Sequence, residues 1–209
     1  MPDAEHGFVH RWVPGSAPGA PVLLLLHGTG GDENDLIPLG QRLWPGAALL
    51  SPRGQVLEGS APRFFRRIAE GVFDLDDLAR RTDDLAAFVR EAATRYGFRI
   101  ENVTALGYSN GANIAASVLL RHPGLLRRAV LLRAMLPFEP QPLPDLGGTA
   151  VYLGSGLADT VIPRRSVERL AAVLHQAGAQ LTHDWQPAGH GLTQEDLARV
   201  EAWLGAARG

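Results

Sequence analysis

A chain of 209 residues can fill one hydrophobic core without splitting, so a single domain spanning residues 1–209 is expected. Hydrophobic residues make up 45% and charged residues 20%, which excludes a disordered or fibrous chain, and 20 basic against 22 acidic residues leave no cationic field for nucleic acid or an anionic bilayer. The absence of cysteine excludes disulfides, thiol catalysis and cysteine-ligated metal, and favours a reducing compartment, with the cytoplasm as the expected location. Met1 to Gly7 carries Asp3 and Glu5 and does not read as a signal peptide. The longest apolar run, Val22 to Leu26, falls far short of the roughly 20 residues that a membrane span requires.

Along the chain, Phe8 to Val13 reads as an edge strand, and Val22-Leu23-Leu24-Leu25-Leu26 as a strand buried on both faces. Ala47 to Leu50 reads as another strand, and Pro52 to Phe73 as a loop-rich stretch. Leu75, Leu78, Leu85, Val89, Ala92 and Tyr96 recur at three- to four-residue spacing and stop at Gly97, the pattern of an amphipathic helix. Val103 to Tyr108 is a further strand, followed by a helix over Ala112 to Arg121 with Ile114, Ala115, Val118 and Leu119 on its apolar side. Strands at Ala129 to Leu132 and Ala150 to Leu153 flank the proline-rich stretch Pro137 to Gly148. Both loop-rich stretches are expected to wall or partly cover a pocket. Val167, Leu170, Val173 and Leu174 mark a helix between Pro163 and Gly178, and Leu181 to Trp185 the last strand. The final helix starts near Thr193, with Asp196 placed for a capping box and Leu197, Val200 and Leu204 apolar. This alternation predicts an α/β fold: a mostly parallel sheet with helices on both faces, and chemistry on loops at the carboxyl ends of strands.

The sharpest local feature is Gly107-Tyr108-Ser109-Asn110-Gly111, a G-x-S-x-G pattern between a strand and a helix, which is the setting of the α/β-hydrolase nucleophile elbow. A hydroxyl nucleophile needs a neighbouring base, and that base needs an acid to hold its tautomer. His190, in Ala188-Gly189-His190-Gly191 between the last strand and last helix, is the candidate base over His6, His10, His27, His122, His175 and His183. Asp159, just after the strand Ala150 to Leu153, is the candidate acid over Asp145 and Asp184. The order Ser, acid, His is the one this fold uses. An oxyanion requires preorganised N–H donors, expected from the backbone of Asn110 and of Thr29 in His27-Gly28-Thr29-Gly30-Gly31. That glycine loop lacks the Lys-Ser/Thr ending of a P-loop and the spacing of a dinucleotide site, and His27 reads as a packed anchor. No metal and no other cofactor is expected.

With these pieces placed, the chain resembles the small carboxylesterase and phospholipase family of α/β-hydrolases, which includes the acyl-protein thioesterases. The resemblance rests on Leu26 to Glu33, Pro52-Arg53-Gly54, Phe64-Phe65-Arg66-Arg67, Gly71-Val72-Phe73-Asp74, Gly107 to Asn113, Ala134-Met135-Leu136-Pro137-Phe138 and Gly189-His190-Gly191, and covers nearly the whole chain. It implies an esterase acting on short- or medium-chain acyl esters, without metal or large cap domain, a possible homodimer, and a triad mapped onto Ser109, Asp159 and His190. The thioesterases it resembles more distantly carry Gln where Asn110 stands, which makes protein deacylation a weaker expectation. Phe64, Phe65 and Met135 are candidate acyl-pocket residues, with plain core packing as the competing reading. Thioesterase and lysophospholipase chemistry would use the same triad, and a binding protein without turnover is the rival of another class.

Overall fold

The computed structural model describes residues 7–206, so His6 and residues 1–5 of the N-terminal stretch read above lie outside the described residues. A seven-stranded sheet forms the centre: β1 (His10–Val13), β2 (Val22–Leu26), β3 (Ala48–Pro52), β8 (Val103–Tyr108), β9 (Arg128–Leu132), β10 (Ala150–Gly156) and β11 (Gln180–Gln186). Their spatial order is β1-β3-β2-β8-β9-β10-β11, with β1 antiparallel to β3 and every other pair parallel. Two short hairpins, β4 (Val56–Glu58) with β5 (Ala61–Arg63) and β6 (Arg67–Ala69) with β7 (Val72–Phe73), stand apart from it.

Parallel strands need crossovers, and helices supply them on both faces. The alternation of side chains along β2 divides its apolar run between two cores. Leu23 and Leu25 pack with Leu43 of α1 (Ile37–Leu43) and with Val200 and Leu204 of α5 (Gln194–Gly205). Val22, Leu24 and Leu26 face the opposite core, which takes Leu85 and Val89 of α2 (Leu75–Tyr96), Ile114 and Val118 of α3 (Asn110–Arg121), and Leu170 and Val173 of α4 (Arg164–Gln176). This is the expected architecture, and no described helix is long and apolar enough to cross a membrane.

Some expectations shift. The first strand begins at His10 rather than Phe8, whose ring instead packs 5.0 Å from that of Phe88 in the core. The strand expected to end at Leu153 runs on to Gly156, because β11 and β10 pair up to Gly156 and Gln186. Gly97 closes α2 in the left-handed conformation, and Thr193 and Asp196 form the anticipated capping box.

Asp196 is 1% exposed and pairs with Arg133 at 2.7 Å. Burial alone would raise its pKa, but hydrogen bonds from Arg133 and Thr193 outweigh that and hold the carboxyl below its ordinary range. A carboxylate whose folded pKa is depressed stabilises fully above its unfolded value, and that contribution is lost as the pH falls through the folded value. Acid unfolding is therefore expected to draw on this pair only below about pH 4. The melting-temperature gap between wild type and Asp196→Asn should narrow there; a gap constant from about pH 7 to about pH 3 would refute the assignment.

Candidate active site

Ser109 follows β8 directly, with φ 52° and ψ −114°, a left-handed backbone that a serine adopts only where its surroundings enforce it. The enforcement comes from close packing of the elbow. A Cβ built on Gly111 would run into the carbonyl oxygens of Leu26 and His27, and one on Gly107 into the backbone of Gly111 and Ala112. Alanine in place of glycine in an open helix stabilises by about 1 kcal/mol. At Gly111 the collision with fixed main chain reverses the sign, and Gly111→Ala is expected to destabilise by about 3 kcal/mol in denaturant unfolding. A neutral or stabilised variant would show that the elbow is not sterically locked.

The hydroxyl is not spent on capping α3. Ser109 Oγ lies 3.0 Å from His190 Nε2, and His190 Nδ1 lies 2.9 Å from Asp159 Oδ2. Asp159 Oδ1 accepts the N–H groups of Val161 and Ile162 at 2.8 and 3.0 Å, so this carboxylate shapes its own turn while it faces the imidazole. Burial pushes its pKa up, yet the bonds from His190 and the two amides prevail and hold it below the ordinary carboxylate range. Three side chains far apart in sequence meet because β8, β10 and β11 run parallel and end at the same rim.

Four of the rival histidines and both rival aspartates are engaged elsewhere. His27 Nδ1 donates to Gly28 O and its Nε2 accepts the Gly54 N–H at 2.9 Å, while burial lowers its pKa, so it is a neutral anchor as read. His10 bonds Tyr96, His122 bonds Asp83, and His183 bonds Ser155. Asp184 accepts from Tyr152 and Gln186, and Asp145 from the Gly147 amide.

Beside Ser109, Gly28-Thr29-Gly30-Gly31 forms a turn closed by Gly31 N–H to Gly28 O at 3.1 Å, with Gly30 at φ 87° as a type II turn requires. Thr29 is its second residue. Hairpin β4–β5 fixes this turn twice: Gly30 N–H donates to Pro62 O at 2.9 Å, and Arg63 Nη1 to Thr29 Oγ1 at 2.8 Å. Asn110 is the first residue of α3, where the helix leaves the N–H without an internal partner.

Thr29, Ser109, Asn110 and Met135 line one cleft with Asn113, Phe73, Val161 and Ile162, and Arg63, Arg67 and Glu70 on its polar side. It encloses about 370 Å³ counted to its open mouth. Phe64 and Phe65 do not line it, which corrects the expectation for them. Exposed 1% and 0%, they are core residues whose rings pack on His27 and Phe73. Of the two loop-rich stretches only Pro52 to Phe73 reaches the cleft, through Arg63 and β6–β7. Sequence reasoning missed Asn113, whose Oδ1 accepts the Met135 N–H at 2.9 Å and so seats that side chain, and it missed Arg133, whose signal was a lone arginine after an apolar strand. Among the described residues no cluster of three or more His, Asp or Glu side chains is placed to hold a metal ion.

Residues 53–203 match the dienelactone hydrolase family, a span that contains Ser109, Asp159 and His190. The chain belongs to that family. This dienelactone hydrolase family member is 46% identical over 182 residues to the putative hydrolase MhqD of Bacillus subtilis (strain 168), covering 87% of this chain and 91% of that protein. The carboxylesterase of Bacillus cereus superposes with a TM-score of 0.93 at 44% identity, over 96% of this chain and 94% of the other. The carboxylesterase of Mesorhizobium loti gives 0.91 at 36% identity, over 98% and 97%. The protein is therefore a hydrolase of the dienelactone hydrolase and carboxylesterase type, with the α/β-hydrolase fold that its motifs suggested.

Proposed function

We propose that this family member is a serine carboxylesterase that cleaves short- to medium-chain carboxylic esters through an acyl-enzyme on Ser109. The observation that carries the reading is the pair of hydrogen bonds Ser109–His190–Asp159, both at 3.0 Å or less. His190 Nε2 takes the hydroxyl proton as Ser109 Oγ attacks the carbonyl carbon, and Asp159 stabilises the imidazolium. The resulting oxyanion is received by the N–H groups of Thr29 and Asn110. Collapse breaks the ester bond, and His190 returns the proton to the departing alkoxide. Water, deprotonated by the same imidazole, then attacks the acyl-enzyme and releases the acid.

Support for short acyl groups comes from the small cleft and its wall of Met135, Phe73, Val161 and Ile162. The test is labelling with a fluorophosphonate probe, followed by turnover of p-nitrophenyl esters of increasing acyl length. Expected are one labelled site at Ser109 and a rate that falls as the acyl chain outgrows the cleft. Labelling that persists in Ser109→Ala refutes the nucleophile, and tight ligand binding without any ester turnover would favour a binding role.

A further inference from the structure

His190 sits in a loop with glycine on both sides, which by itself leaves the imidazole loosely held. Yet four successive carbonyls of this loop each accept a hydrogen bond. Ala188 O takes the Ala158 N–H at 3.0 Å, Gly189 O takes Arg133 Nε at 2.9 Å, His190 O takes the Tyr108 hydroxyl at 3.2 Å, and Gly191 O takes Arg133 Nη2 at 3.1 Å.

Arg133 thus grips the main chain on both sides of the imidazole. Its side chain is fully buried, and its remaining N–H groups go to Asp196 Oδ1 and Oδ2 at 2.9 and 2.7 Å and to Gly154 O at 3.4 Å. All five guanidinium donors are used, a fork that lysine cannot reproduce. The backbone is bent to allow it. Among the described residues, Ser109 and Arg133 are the non-glycine residues with positive φ, 52° and 57°. The two are joined through β9 and β10, since Ser109 N–H donates to Leu132 O and Arg133 N–H to Gly154 O, both at 2.9 Å. A guanidinium held in an unfavoured conformation, wholly out of water and aimed at the loop of one histidine, is more than a surface charge needs.

We propose that Arg133, anchored by Asp196, is the positioning residue for His190: it fixes the main chain around the imidazole so that Nε2 stays within reach of Ser109 Oγ. Arg133 touches no reacting atom, and the proposal rests on reading His190 as the base. Displacing a catalytic group by about 1 Å costs on the order of 10²-fold in rate.

The test compares wild type, Arg133→Lys and Tyr108→Phe, the last removing one loop anchor while leaving the buried ion pair intact. For each, folded protein is counted by circular dichroism and the cooperative thermal transition. Then kcat and KM for p-nitrophenyl acetate, the melting temperature, and the low-field proton resonance of His190 Nδ1–H against Asp159 are measured. Arg133→Lys is expected to lose about 10²-fold in kcat per folded molecule with KM little changed, and to broaden or lose the low-field proton. Tyr108→Phe is expected to move both readouts in the same direction by less. A folded Arg133→Lys with wild-type kcat and an intact low-field proton overturns the positioning role. Should Arg133→Lys not fold, Asp196→Asn, which weakens the anchor of the guanidinium, takes its place, and an unchanged kcat and resonance in that folded variant overturns the role instead. Failure of wild type to label at Ser109 would overturn the esterase reading itself, which keeps the two failures apart.

Discussion

Replacing Ser109 with alanine is expected to lower kcat for p-nitrophenyl acetate by about 10⁶-fold while leaving the fold intact, because among the described residues the hydroxyl caps no helix and bonds only the imidazole proposed to activate it. What remains, on the order of 10³-fold over water, would come from the Thr29 and Asn110 amides polarising a bound carbonyl. Stopped-flow and steady-state rates on the same preparation check this. The burst of p-nitrophenol that reports acylation should vanish together with turnover. A variant that keeps even about a tenth of the rate, once contaminating esterase is excluded, would place the nucleophile elsewhere.

Asp159→Asn is expected to cost about 10⁴-fold in kcat with little change in KM. The substitution is nearly isosteric, and the amide oxygen can still accept the Val161 and Ile162 N–H groups that shape the turn. The other half of the side chain, however, would present an NH₂ to His190 Nδ1. That forces the proton onto Nε2, so the nitrogen facing Ser109 becomes a donor and can no longer take the hydroxyl proton. Because the carboxyl is held below its ordinary range, wild type keeps this orienting charge throughout the neutral and mildly acidic region. A loss of less than about tenfold in Asp159→Asn would show that another group orients the imidazole.

The parts of this protein visible in its sequence are those governed by local pattern. β8 was bounded correctly because an apolar run ended in a glycine-flanked serine, and α2 because its stripe ran six turns to a glycine stop. Helix α1 was not seen. Pro38 and Gly40 lie within its seven residues, and Gly40 is there so that the helix can approach Leu25 and Leu49, a tertiary reason that no local pattern carries. The hairpins β4–β5 and β6–β7 were read as loop because strands of two and three residues hold no periodicity. For the site, chain order and strand ends pointed to Ser109, Asp159 and His190, whereas their mutual distances depend on sheet order. Phe64 and Phe65 were misassigned because aromatic side chains look alike in sequence whether they wall a cavity or fill a core. Arg133 was passed over because its value lies entirely in contacts to residues 154 to 196.

The hairpin β4–β5 has a consequence for anyone redesigning this protein. Its Pro62 carbonyl and Arg63 guanidinium hold the turn that presents Thr29, while Arg63 also forms part of the cleft wall. A graft of residues 53–73 from a homologue, made to broaden substrate range, would loosen the turn carrying the very amide we propose to meet the developing negative charge. Selectivity and speed are mechanically geared together there, and a library that varies the hairpin will have to vary the Gly28 to Gly31 turn alongside it.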